Sequence, residues 1–164
     1  MDSRRHSKFP LASVSGIVVC REGVLLIKRK KPPNDGLWVI PGGALEIGET
    51  QMDAIAREVH EEAGIESETL GLINTKDIVL WDSRGGIEYQ YMVNRYLLIA
   101  TSYETRPGCE EADACWFSLD HLPVEEMPCH VVELLEDHRY LIEVLMKYLA
   151  VRGELSGSAS QIDY

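Results

Sequence analysis

The sequence predicts an α+β fold in which two helices cover a mixed β-sheet. Apolar and β-branched runs open the chain, further strand-like segments lie in its second half, and each group is followed by a stretch with helical apolar spacing. The chain has 164 residues, of which 45% are hydrophobic, which is enough for one core but too little for two. We therefore expect one domain over residues 1–152 and a disordered tail over residues 153–164.

Composition narrows the functional classes. The formal net charge is −11, which disfavours a DNA-binding protein because neutralising phosphates along a nucleic acid needs clustered Lys and Arg. A compact anionic substrate stays compatible with this charge if a bound cation screens the pocket. No apolar run of about 18 residues occurs, and the four cysteines match no common zinc or redox spacing. We expect a cytoplasmic protein with reduced thiols and no membrane partner.

The N-terminal part of the chain is predicted to form strands. Residues 13–20 (SVSGIVVC) and 24–28 (VLLIK) are apolar runs separated by a short glycine-containing turn, which is typical of a β-hairpin. Residues 30–36 (KKPPNDG) are predicted to form a loop because they are rich in Pro, Asn, Asp and Gly. A brief strand within residues 37–43 (LWVIPGG) follows, and Pro41 with the glycine pair after it ends that strand.

A helix is predicted from Gln51 to Ala63. Thr50 is a candidate N-cap with Asp53 three residues further on, and Gly64 fits the position just after the last helical residue. At about 3.6 residues per turn, the apolar residues of this segment fall on one stripe and a group of glutamates falls on another face. The apolar stripe consists of Met52, Ile55, Ala56, Val59 and Ala63.

The second half repeats the pattern of strands followed by a helix. Residues 76–81 and 88–100 are predicted strands joined by the turn sequence DSRGG. Residues 101–114 are polar and are predicted to form a loop before a short strand at 115–119. From 130 to 151, apolar residues recur at helical spacing, which predicts one long amphipathic helix.

Three glutamates stand close together on the first predicted helix: Glu58, Glu61 and Glu62. Like charges three or four residues apart on a helix repel one another, so the arrangement costs stability unless a positive charge lies between them. Such glutamates commonly form a solvated acidic face, but Gly42-Gly43 before the helix lets the backbone bend sharply and expose a carbonyl oxygen. Carboxylates, a carbonyl and water are the ligands that Mg²⁺ and Mn²⁺ prefer. We infer a cation site that binds a pyrophosphate and promotes hydrolysis of a phosphoanhydride.

The spacing of these residues also matches a known motif. From Gly43 to Ile65 the sequence fits the pattern G-x5-E-x7-R-E-U-x-E-E-x-G-U, with U an aliphatic residue, at every fixed position. It thereby resembles the Nudix box, and nine constrained positions across 23 residues make the match specific. The resemblance implies the Nudix fold, an α/β/α sandwich with a mixed β-sheet between helices. The predicted strand IEYQYMVNRYLLIA followed by WFSLDHLP resembles the corresponding segments in the branch of the family that includes ADP-ribose pyrophosphatases.

The resemblance to the Nudix box implies roles for the acidic residues. Glu58 and Glu62 would be the main ligands of Mg²⁺, for which Mn²⁺ could substitute. Glu61 would be a further ligand, direct or through water, and it is counted among the catalytic candidates. The carbonyl group of Gly43 would supply an additional oxygen.

The resemblance also implies a structural pair and a general base. Arg57 and Glu49 would pair and keep the helix and its preceding loop in register, although an ordinary surface ion pair contributes only about 0–1 kcal/mol. A base outside the box would lie on the loop before the last core strand, where Glu110, Glu111 and Asp113 are found. A flexible loop could bring either glutamate to the attacking water. We favour Glu110 over Glu111, against the alternative that both belong to a solvated acidic loop.

Aromatic and basic side chains outside the box are candidates for substrate binding. Trp38 could stack on a nucleobase or belong to the core. Tyr91 lies with Tyr89 on one face of a long predicted strand, and that face could line a pocket. Arg29, with Lys28 beside it, is a candidate for binding the distal phosphate or sugar, against the alternative of a plain solvated charge.

Together these residues predict a Mg²⁺-dependent hydrolase that cleaves the pyrophosphate of a nucleoside diphosphate linked to another moiety, with ADP-ribose or a nucleotide sugar favoured. The products would be a nucleoside monophosphate and a phosphorylated compound. The sequence leaves open a pyrophosphohydrolase of nucleoside triphosphates, including oxidised dGTP, and a nucleotide-sensing module without catalysis. The negative net charge disfavours an RNA 5′-end pyrophosphohydrolase, although the basic residues at 28–31 leave this activity open. The Tyr-rich hairpin would suit a homodimer formed through paired strands.

Overall fold

A computed structural model describes residues 5–32 and 34–158 of the chain. One mixed sheet of seven strands forms its centre. The strands are β1 (Leu11–Cys20), β2 (Gly23–Arg29), β3 (Trp38–Val39), β4 (Gly42–Ala44), β5 (Ser67–Trp81), β6 (Ile87–Ala100) and β7 (Glu111–Phe117). Their order in the sheet is β3-β2-β1-β6-β5, with β7 paired to β2 and β4 paired to β1. β1 and β6 run parallel, and the other pairs are antiparallel.

Helices cover both faces of this sheet. On one face, Asn94 and Tyr96 of β6 hydrogen-bond to Gln51 of the first helix at 2.6 and 2.7 Å. Because side chains alternate along a strand, Arg95 points to the opposite face, where it lies near His130 of the second helix. The helices are α1 (Gln51–Ala63), α2 (Cys129–Asp137) and α3 (Arg139–Ser158), and two short 3₁₀-helices cover Leu119–His121 and Val124–Glu126. The predicted α+β class, an α/β/α sandwich with a mixed sheet between helices, is confirmed.

Helix α1 begins and ends where the sequence predicts. Thr50 is extended, and its Oγ1 accepts a hydrogen bond from the backbone N–H of Asp53 at 3.2 Å. Gly64 is left-handed, with φ 70° and ψ 15°, and its N–H donates to the carbonyl oxygen of His60 at 2.8 Å. Within the predicted apolar stripe, Ile55, Val59 and Ala63 are buried. Ala56 is partly buried, and Met52 in the first turn is 51% exposed.

The second predicted helix, over residues 130–151, is divided into two at His138. Helix α2 ends there because His138 has φ −108° and ψ 9°, and its ring Nδ1 lies 2.9 Å from the carbonyl oxygen of Leu134. Helix α3 then starts at Arg139, whose guanidinium pairs with Asp120 in the segment before α2. Apolar spacing alone does not show this break, because buried apolar residues continue through both helices: Val131, Leu134, Leu135 and Ile142. Within the described residues, no helix has the length and apolar character needed to cross a bilayer.

Two further boundaries differ from the sequence-based expectation. Strand β5 begins at Ser67 rather than at residue 76, because it pairs with β6 from Ala100 onward, with register shifts along the way. Glycine and polar residues in this edge strand hide the strand pattern. Helix α3 continues to Ser158, past the predicted start of the tail at 153, because no proline interrupts its backbone hydrogen bonds. The rest of the predicted tail, residues 159–164, lies outside the described part of the chain.

Replacing Gly64 by Ala should lower the free energy of unfolding by about 1–2 kcal/mol, because alanine is strained in a left-handed backbone. The added Cβ would also lie 3.0 Å from the Cβ of Arg106. Gly153→Ala is the matched control: Gly153 lies within α3, and a Cβ there meets no described atom within 4 Å. This control should raise stability by up to about 1 kcal/mol. Urea unfolding followed by circular dichroism measures both, and a Gly64→Ala protein as stable as wild type would contradict the left-handed cap.

Candidate active site

A cleft of about 500 Å³ opens where the sheet divides. Strand β1 pairs with β2 near its C-terminal end, through Val19 and Cys20, and with β4 near its N-terminal end, through residues 13–15. Residues from these strands, from α1 and from the first turn of α2 form the walls. The predicted site residues that line the cleft are Arg29, Gly43, Arg57, Glu58, Glu61, Glu62, Tyr91, Glu110 and Glu111.

The glycine pair on β4 lets the glutamates of α1 approach the backbone closely. At Gly43, an added Cβ would lie 2.2 Å from Glu58 Oε1, so no larger residue fits while Glu58 keeps this position. At Gly42, an added Cβ would lie 2.3 Å from the carbonyl oxygen of Val14 on β1. The N–H of Gly42 also donates to Glu62 Oε2 at 2.8 Å. Both carboxylates therefore lie against the strand that precedes α1.

Arg57 connects α1 to the loop before it. Its Nε and Nη2 donate to the two carboxylate oxygens of Glu49 at 3.0 and 2.8 Å, and Nη2 also donates to the carbonyl oxygen of Ala44 at 3.3 Å. Its Nη1 donates to Glu58 Oε1 at 2.8 Å and to Glu61 Oε2 at 3.1 Å. The two-point contact with Glu49 is stronger than a single charged contact. The hydrogen bond from Arg57 lowers the pKa of Glu49, and the same contact raises the pKa of Arg57.

Burial changes the acidity of the carboxyl groups in the cleft. Glu62 is 8% exposed, and burial, with the nearby charges of Glu58 and Glu111, raises its pKa to about 8. Burial also raises the pKa of Glu58, which the hydrogen bond from Arg57 opposes. The pKa of Glu111 is raised by burial as well, and the charge of Arg29 opposes that shift. The cleft therefore favours a bound proton or a bound cation among these carboxylates.

The loop over residues 101–110 is attached to the end of α1. Arg106 and Gly108 donate their backbone N–H groups to carbonyl oxygens in the last turn of α1, at 2.7 and 3.0 Å. These contacts satisfy carbonyl groups that the end of a helix leaves unpaired. Strand β7 then begins at Glu111, within the segment that the sequence predicts to be a loop.

The two candidate general bases lie in different surroundings. Glu111 is 5% exposed and lies near Glu62, whose pKa its charge raises. Glu110 has a side chain that is 57% exposed and pairs with Lys31. Proximity to the other carboxylates therefore favours Glu111, the opposite of the sequence-based preference, because Glu111 belongs to a strand of the sheet while Glu110 precedes it.

The glutamates do not form a closed metal centre as they are placed. Within the described residues, no three His, Cys, Asp or Glu side chains converge into such a group. Arg57 contacts Glu58 and Glu61, and the N–H of Gly42 contacts Glu62. The donor set nevertheless fits a divalent cation, because crowded carboxylates that resist ionisation lie beside a glycine backbone and face the cleft.

Trp38 is a core residue and not a wall of the cleft. Its side chain is 7% exposed and packs edge-on against Phe117 of β7, with ring centroids 4.9 Å apart. The Nζ of Lys28 lies 5.5 Å from the centre of the Trp38 ring and pairs with Glu126 at 2.6 Å. Of the two roles that the sequence leaves open for Trp38, stacking on a nucleobase or packing in the core, the structure therefore favours the core, because β3 turns the indole toward it.

A row of side chains on β6 forms another wall of the cleft. Tyr89 and Tyr91 stack with ring centroids 5.9 Å apart, and Val93 and Arg95 continue the row. His130, from the first turn of α2, lines the same cleft. Sequence reasoning missed Arg95 and His130. A charged residue inside an apolar strand, on the same face as Tyr91, was the available signal for Arg95, whereas the position of His130 depends on how α2 packs.

Comparison with protein families decides the classification. A family model described as the NUDIX domain matches residues 10–141 of the chain. The chain belongs to the Nudix family. It is accordingly a Nudix hydrolase, an enzyme that acts on phosphorus-containing acid anhydrides.

Three relatives illustrate the range of this similarity. The ADP-ribose pyrophosphatase of Methanocaldococcus jannaschii is 30% identical over 139 residues, which are 85% of this chain and 75% of that protein. The human 8-oxo-dGDP phosphatase NUDT18 is 31% identical over 130 residues, which are 73% of this chain and 36% of that protein. The crystal structure of a MutT NUDIX hydrolase from Burkholderia pseudomallei is 30% identical with a TM-score of 0.66, covering 79% of this chain and 98% of that one. This Nudix chain thus spans most of the archaeal relative and about a third of the human one.

In the absence of divalent cations, raising the pH from about 5 to about 8 should destabilise this Nudix hydrolase through Glu62. Its pKa is about 8 when folded, against 4.5 as the ordinary value, so the folded state binds an extra proton between these values. The stability that this proton supplies is complete below the ordinary pKa and is lost as the pH rises through the folded pKa. Glu62→Gln mimics the protonated carboxyl group and should reduce the dependence of the free energy of unfolding on pH. Urea unfolding of both proteins in EDTA at the two pH values measures the difference, and an identical dependence would contradict the raised pKa.

Proposed function

We propose that this Nudix hydrolase uses Mg²⁺ to cleave the pyrophosphate of a nucleoside diphosphate linked to another moiety, with ADP-ribose or a nucleotide sugar as substrate. The products are a nucleoside monophosphate and a phosphorylated compound. The observation that carries the proposal is the placement of Glu58 and Glu62 against the glycine pair of β4, with Glu111 lining the same cleft. Similarity to an ADP-ribose pyrophosphatase supports the choice of substrate class.

The carboxylates of α1 would hold the cation. Glu58 and Glu62 would be its main ligands, Glu61 and the carbonyl group of Gly43 would supply further oxygens, and Mn²⁺ would substitute for Mg²⁺. When bound, the cation supplies charge neutralisation at the phosphorus and lowers the pKa of a coordinated water. Arg57 positions the carboxylates by its hydrogen bonds to Glu58 and Glu61.

Glu111 is the general base in this proposal, with Glu110 as the alternative. Burial raises the pKa of Glu111, and a more basic carboxylate accepts a proton from the attacking water more readily. Arg29 lies opposite Glu111 in the register of β2 and β7, and it lines the same cleft. A guanidinium at this point would bind an oxygen of the diphosphate. Tyr91 supplies an aromatic surface for the nucleobase or the sugar.

The test is release of a nucleoside monophosphate, followed by chromatography, with and without Mg²⁺. The substrate panel contains ADP-ribose, nucleotide sugars, dinucleoside polyphosphates, nucleoside triphosphates and triphosphorylated RNA. Mg²⁺-dependent turnover of ADP-ribose or a nucleotide sugar supports the proposal. Exclusive cleavage of nucleoside triphosphates would show that these, and not ADP-ribose or nucleotide sugars, are the substrates. Tight nucleotide binding without any turnover would favour a sensor.

Glu62→Gln should lower kcat at saturating Mg²⁺ by about a hundredfold or more, because the amide removes one of the charges that would hold the cation. The control is Glu22→Gln, which removes the same charge from the exposed turn between β1 and β2. Its kcat should stay within about twofold of wild type. Full turnover of Glu62→Gln at saturating Mg²⁺ would show that the metal assignment is wrong.

The neighbouring glutamates Glu110 and Glu111 provide a matched pair for the general base. Glu111→Gln should lower kcat by about 10²–10⁴-fold and abolish the acidic limb of the pH–rate profile, as expected for loss of a base. Glu110→Gln should change kcat by less than about threefold, because the side chain is exposed and pairs with Lys31. Circular dichroism verifies that both variants fold. A larger loss in Glu110→Gln would assign the base to Glu110 instead.

The homodimer and the cytoplasmic location stay predictions. The long hairpin of β5 and β6 exposes apolar side chains that would suit pairing of two copies, among them Leu72, Trp81 and Met92. Sedimentation of the purified protein measures its oligomeric state directly.

A further inference from the structure

Arg95 is a buried cation in the cleft wall for which the proposed hydrolysis has no role. It is 7% exposed, and it lines both the main cleft and a smaller adjoining pocket of about 180 Å³. Its Nε is buried and has no hydrogen-bond partner among the described residues. Burial lowers its pKa, and no carboxylate is among the causes of that shift.

A buried guanidinium without a carboxylate partner destabilises a fold, because the loss of hydration is not compensated. Arg57 shows the contrast within the same cleft, since it contacts Glu49, Glu58 and Glu61. An uncharged side chain of similar volume could fill the position of Arg95 at lower cost. The placement of Arg95 therefore indicates a negatively charged partner from outside the described residues.

The region around Arg95 contains charged side chains of both signs. His130 has a pKa lowered by burial and then by the charges of Arg95 and Lys76, whereas Glu133 acts in the opposite direction. Asp137 also lines the smaller pocket, further along α2. The N-terminal end of α2 adds the positive end of its helix dipole beside His130. The walls of the smaller pocket thus contain two cations, Arg95 and Lys76, and two carboxylates, Glu133 and Asp137, and Arg95 also lines the main cleft.

Asn74 adds an acceptor beside the cations. It pairs with Arg95 across β5 and β6 and lines the smaller pocket. Its Oδ1 is buried and lacks a hydrogen-bond partner within the described part of the chain. An acceptor next to a cation suits a ligand that carries a hydroxyl group close to its anionic group, as sugar acids and phosphorylated sugars do.

Strand register sets the distance between Arg95 and the carboxylates. Arg95 pairs with Ser15 across β6 and β1, and Ser15 pairs with Gly42 across β1 and β4. Adjacent strands are about 4.8 Å apart, so the backbone of Arg95 lies about 10 Å from that of Gly42. One sugar unit can span such a distance between a diphosphate near Gly42 and an anionic group at Arg95.

We propose that Arg95, assisted by His130, binds a second anionic group, a phosphate or a carboxylate, on a sugar attached to the cleaved diphosphate. The proposal rests on the proposed function for the diphosphate itself. Anion binding at Arg95, however, can be measured without turnover. This subsite would make the enzyme select charged nucleotide sugars or phosphorylated ribosides over their neutral counterparts.

Binding of matched ligand pairs tests the subsite by calorimetry at saturating Mg²⁺, because the cation neutralises the diphosphate beside the glutamates. Every protein compared also carries Glu111→Gln, which slows hydrolysis of the ligands. The pairs are UDP-glucuronate with UDP-glucose, ADP-ribose 2′-phosphate with ADP-ribose, and coenzyme A with dephospho-coenzyme A. The first pair tests a carboxylate, and the other two test a phosphate. The proteins are wild type, Arg95→Met, and Arg84→Met as a control that removes a cation from the exposed turn between β5 and β6.

The anionic member of at least one pair should bind wild type about tenfold more tightly, as expected for a charge-assisted contact. Arg95→Met should lose this preference while its melting temperature stays equal to or above that of wild type, and Arg84→Met should keep the preference. Equal binding within every pair, or a preference that survives in Arg95→Met, would overturn the subsite. If Arg95→Met does not fold, His130→Gln replaces it, and an unchanged preference there would overturn the proposal.

The proposed hydrolysis and the subsite can fail separately. A protein that discriminates within a pair but hydrolyses nothing on the substrate panel would retain the subsite and lose the proposed function. A protein that hydrolyses ADP-ribose or a nucleotide sugar without discriminating within any pair would retain the function and lose the subsite.

Discussion

The proposed active-site cleft depends on one guanidinium, that of Arg57, which lies among carboxylates. Arg57 makes five hydrogen bonds, which join the loop before α1 to the glutamates on the helix itself. Its planar shape matches both oxygens of Glu49, so the contact sets orientation as well as distance. The position of Glu58 over Gly43, and hence the shape of the acidic wall, follows from this arrangement. The remaining positive charge that the carboxylates require must come from elsewhere in the cleft or from a cation.

The cleft joins two electrostatically different regions across a few strands. Glu58 and Glu62 lie at one end, where burial holds their pKa values above the ordinary range. Arg95 lies on the other side of β1, with its own pKa lowered by burial. Each end is destabilising when it is considered alone, since each contains buried charge that is only partly neutralised. Such an arrangement is expected of a site that binds a polyanion together with a cation, because the ligand then supplies the missing charges.

Local signals explain which parts of the fold are predictable from the sequence. Helix α1 is predictable because Thr50 and Gly64 act within a few residues of the helix ends that they define. The start of β5 at Ser67 is not, because an edge strand with glycine and polar residues is stabilised by pairing with β6. The break at His138 is also hidden, because apolar spacing continues on both sides of it. Trp38 is ambiguous in the sequence, because a tryptophan before a glycine-rich segment serves a core as well as a pocket.

The same distinction separates the two halves of the proposed active site. The spacing from Gly43 to Ile65 establishes the family and the acidic face of α1 from the sequence alone, because that chemistry lies within one helix and the loop before it. The relation between Glu111 and Glu62, and the placement of Arg95 beside His130, appear only once the sheet and α2 are assembled. The reason is physical: burial, hydration and charge at these positions are properties of contacts between distant segments, which no local pattern of residues encodes.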